Sequence, residues 1–178
     1  MLTSPVRCSG GDCRHVSSGS FTIEQALTLL ADTPPRLATL TEGLTPAQLR
    51  TAPSPDEWSA NDVLAHLRSC ADVWGDSMRR ILAEDRPTIR AVNPRAWIER
   101  TDYLELEFEP SLRAFTAQRA ELLAVLKPLT LDDWLRAATV TGAGSPLQKT
   151  VLDYAERMTR HERPHIKQFA RIVELLRG

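Results

Sequence analysis

Residues 146–177 read PLQKTVLDYAERMTRHERPHIKQFARIVELLR, and within them Val151, Ala155, Met158, His161, His165, Phe169, Ile172 and Leu176 recur in steps of three and four. That spacing follows the 3.6-residue turn of an α-helix, so the eight side chains form one stripe. The pattern predicts a long amphipathic helix from about Pro146 to Arg177. Pro164 lies inside it. A proline cannot donate to the carbonyl of Arg160, so a bend is expected there, between the two histidines. A second stretch has the same character. Ser59 caps Ala60 to about Glu84, with an inward stripe of Val63, His66, Leu67, Cys70, Trp74, Met78 and Ile81.

Two further helices follow from the same reasoning. Thr22 caps a run with Ile23, Leu27, Leu30, Leu37 and Leu40 on period, closed by Gly43, although Pro34 and Pro35 inside it predict a kink or break. The third in chain order begins near Pro110 and carries Leu112, Phe115, Leu122, Val125 and Leu126 until Pro128 stops it. Between these four segments lie connections. Residues 44–59 are turn-rich with one short helical turn at Pro46 to Leu49, residues 85–109 read as a long connection over one end, and Ala138 to Thr141 reads as extended. Four amphipathic helices without a run of strands predict an all-α fold, a four-helix bundle with long connections.

The 178 residues fit one domain, residues 21–178, preceded by a leader at 1–20 that shows neither helical nor strand period. The 22 basic and 23 acidic side chains balance, which removes the electrostatic footprint of a nucleic-acid binder. No stretch approaches the roughly 20 apolar residues of a membrane span, and the leader lacks the apolar core of a secretory signal. A cytoplasmic location is the resulting expectation. Three cysteines do not make a disulfide scaffold, and Cys8, Cys13 and His15 in the leader lack zinc-finger spacing.

Of four histidines, three stand on apolar stripes. His161 and His165 are four apart, about 40° around the helix axis, so both imidazoles can meet one atom. His66 lies on the inward stripe of another helix, and bundles bring such stripes together. Three neutral imidazoles suit a borderline divalent ion and leave a coordination position open. The same residues also read as core histidines with one hydrogen bond each, and spacing alone leaves both readings standing.

The run Trp58-Ser59-Ala60-Asn61-Asp62-Val63-Leu64-Ala65-His66-Leu67, with His161-Glu162-Arg163-Pro164-His165 on the last helix, resembles the DinB-like (YfiT-type) four-helix-bundle superfamily. The resemblance covers about residues 21–177. It implies a tris-histidine site at His66, His161 and His165 for a divalent metal, zinc or nickel, and a homodimer. It also implies metal-activated transfer of a low-molecular-weight thiol, of the mycothiol or bacillithiol type, to a small-molecule electrophile. Metal-dependent hydrolysis and a non-catalytic metal-binding or stress-related bundle are the alternatives.

Around that site, Asp62 and Glu162 are candidate acceptors for the imidazole N–H groups and Glu162 also a candidate general base, against plainer readings as a first-turn charge and an outer-face charge. Arg95, Trp97 and Tyr103 in the long connection are candidates for a pocket wall over the metal. Trp58 reads as an anchor at the mouth of its helix. Cys70, one turn after His66, reads as a small core hydrophobe and is left out of the metal set.

Overall fold

The computed structural model describes residues 21–177, so the leader and its Cys8, Cys13 and His15 lie outside the described residues. The chain runs α1 (Ile23–Thr41), α2 (Pro46–Arg50), α3 (Ala60–Ala83), β1 (Thr88–Arg90), α4 (Pro94–Ile98), α5 (Phe108–Leu126), α6 (Leu131–Leu135), β2 (Ala137–Thr141), β3 (Leu147–Thr150) and α7 (Val151–Arg177). The four long helices are those expected from the apolar stripes. Thr22 and Ser59 start α1 and α3 through capping boxes, closed by Gln25 and Asp62 respectively. Pro110 falls in the first turn of α5, where its missing N–H costs nothing. α1 continues through Pro34 and Pro35 without a break, and α7 through Pro164.

Helix α1 packs on α7 and α5, and α3 packs on the same two, which sets the order α1–α7–α3–α5 around the bundle. α5 and α7 are therefore diagonal. Two apolar clusters occupy the two ends. One gathers Leu30, Trp74, Met78, Ile81, Leu126, Trp134 and Met158; the other gathers Leu37, Leu64, Leu67, Phe115, Phe169 and Ile172. Along α7 the first cluster stops at Met158 and the second resumes at Phe169, so His161, Glu162 and His165 form a polar layer at mid-height. Val125, expected on the inward stripe of α5, is instead 38% exposed.

The connections hold more structure than their sequence suggests. β2 pairs in parallel with β1 and antiparallel with β3, making a small three-stranded sheet beside the bundle. Its hairpin turns through Gly142 and Gly144, whose φ angles of 85° and 93° suit glycine. The last helix consequently begins at Val151 and not near Pro146. Residues 147–150 are claimed by the strand ladder with β2, and Thr150 closes the junction by accepting from the Asp153 N–H while its own N–H donates to the Asp153 carboxylate.

Candidate metal centre

Helices α3 and α7 lie side by side, and the inward stripe of each carries its histidines to the shared layer. Nε2 of His66 and Nε2 of His161 are 3.2 Å apart. The three imidazole rings form a tight triangle, with centroids 5.0 Å apart for His66 and His161, 5.1 Å for His66 and His165, and 4.6 Å for His161 and His165. For metal–nitrogen bonds of about 2.0–2.1 Å, tetrahedral ligand nitrogens stand roughly 3.3 Å apart. The observed pair fits that separation.

Cys70 also belongs here. Its Sγ is 3.6 Å from His66 Nε2, and the Cys70, His66 and His161 donor atoms all lie within 4.8 Å of one another. A zinc–sulfur bond of about 2.3 Å implies roughly 3.6 Å between tetrahedral sulfur and nitrogen donors. Cys70 is a buried core residue, as expected from sequence, and the stripe that buries it also brings its sulfur beside His66. His165, expected as the third ligand, falls outside that donor group, although its ring adjoins both other imidazoles. Its Nδ1 lies 2.9 Å from Oε1 of Gln168, one turn on. That oxygen only accepts, so the proton sits on Nδ1 and Nε2 keeps its lone pair.

Burial, then mutual repulsion with His165 and the positive charge of Arg95, push His66 down to about 4. His161 is likewise pushed down to about 4 by burial, its two histidine neighbours and the charges of Arg157 and Arg95. His165 is lowered chiefly by burial. All three are therefore neutral at physiological pH, the form that ligates metals. Burial raises the Cys70 thiol to about 12 in the absence of an ion.

A stability prediction follows for metal-stripped protein. Between the ordinary histidine value of 6.5 and about 4, the unfolded chain takes up protons that the folded site refuses. The stabilisation is present above 6.5 and is lost as pH falls through about 4. His66 alone, only 5% exposed, accounts for about 3 kcal/mol. Urea unfolding on descending pH measures it. A His66→Gln variant should flatten the dependence, and an unchanged slope would contradict the assignment.

The two proposed imidazole acceptors are engaged elsewhere. Asp62 accepts from the Ser59 N–H at 2.9 Å and hydroxyl at 2.7 Å, the nearest donors to a first-turn carboxylate. Glu162 is 3% exposed and accepts from the Thr33 hydroxyl at 2.6 Å and from the Arg119 guanidinium across the bundle, which also overturns its reading as an outer-face charge. Nδ1 of His161 is buried without a protein partner among the described residues.

Of the pocket-wall candidates, Trp97 and Tyr103 meet at Asp72. The indole N–H donates at 3.2 Å and the phenol at 2.8 Å, and Gln118 donates to the same carboxylate. Asp72 lies two residues past Cys70, about 200° around the helix, so these two aromatics brace another face of α3. Arg95 is near the imidazoles. Its guanidinium lies over Trp58, 5.3 Å from the ring centroid. Trp58 is more than a helix anchor, since it meets His66 edge-on at 5.1 Å and stacks on His165 at 6.3 Å. Arg157 and Gln168 join the site without having been named from sequence, as does Trp74, which was named there only as part of the inward stripe of its helix. Their signal was helical spacing alone: Trp74 is two turns past His66, Arg157 one turn before His161 and Gln168 one turn past His165. A groove of about 950 Å³ between α1 and α7 reaches Glu162 but none of the three histidines. The donor atoms, and not that groove, mark the centre.

Residues 29–169, most of the described chain, match the model of the DinB superfamily. The chain belongs to the DinB superfamily. Among solved structures, this DinB-superfamily chain is similar to YfiT from Bacillus subtilis, described as "a probable metal-dependent hydrolase with an unusual four-helix bundle topology". The TM-score is 0.73 at 22% identity, with 89% of this chain and 91% of that one covered. At that identity the likeness is one of fold. No curated protein matches. No helix among the described residues is long and apolar enough to cross a membrane.

Proposed function

We propose that this DinB-superfamily chain is a divalent-metal-dependent enzyme whose ion is held by His66, His161 and His165, with Cys70 in reach as a sulfur donor. The observation that carries this reading is the 3.2 Å approach of two neutral imidazole nitrogens from separate helices. Imidazole with an adjacent thiol is a borderline-soft donor set, which favours zinc over harder ions, with nickel next. When bound, such an ion acts as a Lewis acid that lowers the pKa of a thiol or water to near neutral.

The chain's own contribution is positional. Gln168 fixes the His165 tautomer, while the Trp58 and Trp74 rings pack against the imidazoles. The reaction we propose first is transfer of a low-molecular-weight thiol, of the mycothiol or bacillithiol type, to a small electrophile. Membership of the superfamily supports it, as it supports a homodimer. Hydrolysis is the second reading, favoured by the description of the structurally similar YfiT.

The test compares metal-stripped, zinc-reloaded and nickel-reloaded protein, each with a thiol and an electrophile panel. Turnover that requires both metal and thiol is the expected result. Metal-dependent turnover without thiol selects hydrolysis. Stoichiometric metal without turnover in any arm would make the chain a metal-binding bundle and end the enzyme reading.

A further inference from the structure

Each end of the imidazole cluster carries the same succession of groups. On one side, His66 and His165 meet the Trp58 ring, and the Arg95 guanidinium lies over that ring. On the other, His161 meets the Trp74 ring edge-on at 5.0 Å, and the Arg157 guanidinium lies 5.0 Å from that ring's centroid. Arg95 comes from α4 and Arg157 from α7, one turn before His161, so different elements supply the two cations. Both arginines are exposed. A guanidinium held against an indole uses its face and leaves its N–H edge free for a planar anion.

The surrounding charges do not neutralise them. Neither Arg95 nor Arg157 forms an ion pair among the described residues, whereas Arg50, Arg80, Arg113, Arg119, Arg160 and Arg171 each do. The carboxylate beside His161 in sequence, Glu162, is buried and held by Arg119 and Thr33, and Asp72 is occupied by Trp97, Tyr103 and Gln118. What remains is a set of neutral rings flanked by two uncompensated cations.

We infer that the substrate is a small anion, drawn to the rim of the imidazole cluster by the charges of Arg95 and Arg157. The inference rests on the proposal that this cluster is the reacting site, and it supplies the substrate class that proposal leaves open. The field of Arg95 reaches all three imidazoles and that of Arg157 reaches His161, so an anion drawn to either guanidinium is drawn toward the donors. The arginines are then specificity-determining residues that select charge.

Calorimetric titration of the full chain with succinate and with its neutral counterpart succinamide, on metal-stripped and on zinc-loaded protein, tests this. Succinate is expected to bind the metal-stripped protein at least tenfold more tightly than succinamide, with an affinity that falls as salt is added. Arg95→Gln and Arg157→Gln should each weaken succinate about tenfold, the usual loss for a hydrogen bond to a charged group. Arg95→Lys, keeping charge without the fork, should recover part of it. Equal affinity for the two ligands, or full affinity for succinate in the double arginine variant, overturns the inference. Succinate binding that appears only after zinc loading and survives the double substitution assigns the anion to the ion: the arginine role fails and the metal centre stands. Arginine-dependent binding by a chain that takes up no zinc keeps that role and removes the metal centre.

Discussion

Purified His161→Ala protein is expected to carry no stoichiometric zinc after dialysis, and the parent chain is expected to carry one ion. Loss of a mere outer-shell partner of a metal ligand lowers affinity by about 10–100-fold, so loss of a ligand should exceed a hundredfold. His66→Ala should behave alike, because its Nε2 lies 3.2 Å from His161 Nε2 and 3.6 Å from Cys70 Sγ. Cys70→Ser should lower affinity less, by about tenfold, because a buried thiol raised to about 12 must give up its proton to bind, whereas the imidazoles are already neutral. Elemental analysis with a chelator-competition titration separates these cases. Unchanged zinc in His161→Ala would remove the metal centre. An unchanged affinity in Cys70→Ser would return that residue to the core and leave the imidazoles intact.

The legibility of this chain in its sequence divides by the range of the interactions concerned. Stripes such as Val63 to Ile81 and Val151 to Leu176 are long enough for the helical period to dominate, so the four-helix bundle followed from pattern alone. The sheet did not follow from it. β1 is three residues, and β3 reads Leu-Gln-Lys-Thr with its first two residues exposed, so neither shows alternation until β2 stands between them. A helix start near Pro146 was the local reading, and non-local pairing overrode it.

The same division holds at the site. The His161 and His165 pair is visible within one helix, and His66 joins it once the bundle is accepted. Asp62 was drawn toward His66 by a four-residue spacing, but Ser59 offers two donors three residues away, and the nearer partner wins. Trp97 and Tyr103 were placed in the right connection and on the wrong side of α3, because nothing local announces that Asp72 gathers them. Glu162 looked like a surface charge because its partner lies 43 residues earlier in the chain. Arg119 nevertheless sits on period between Phe115 and Leu122, and a charged residue inside an apolar stripe is the signal that the pairing left in the sequence.

That pair carries the second large expectation. Glu162→Ala should destabilise the fold by about 3–5 kcal/mol, because Arg119 is 2% exposed and would keep its charge in the bundle centre without a counterion. Thr33, Met158 and the Phe115 ring surround the same two side chains, so the alanine leaves a hydroxyl and a cation without the carboxylate that both are bonded to. The origin of the cost decides the next variant. If it comes from the orphaned charge, Arg119→Met with Glu162→Leu together should recover most of the loss, since a well-packed apolar pair often equals a buried ion pair. If it comes from lost packing or from the Thr33 contact, the double variant stays as unstable as the single. Urea unfolding of the two single variants and the double one gives the coupling directly. Glu162 bridges α7 to α1 and to the diagonal helix α5 one residue after His161, so the zinc affinity of a well-folded double variant further tells whether this tether holds the imidazole in place. Retained affinity would mean that packing of α3 against α7 is sufficient to bring the histidines together.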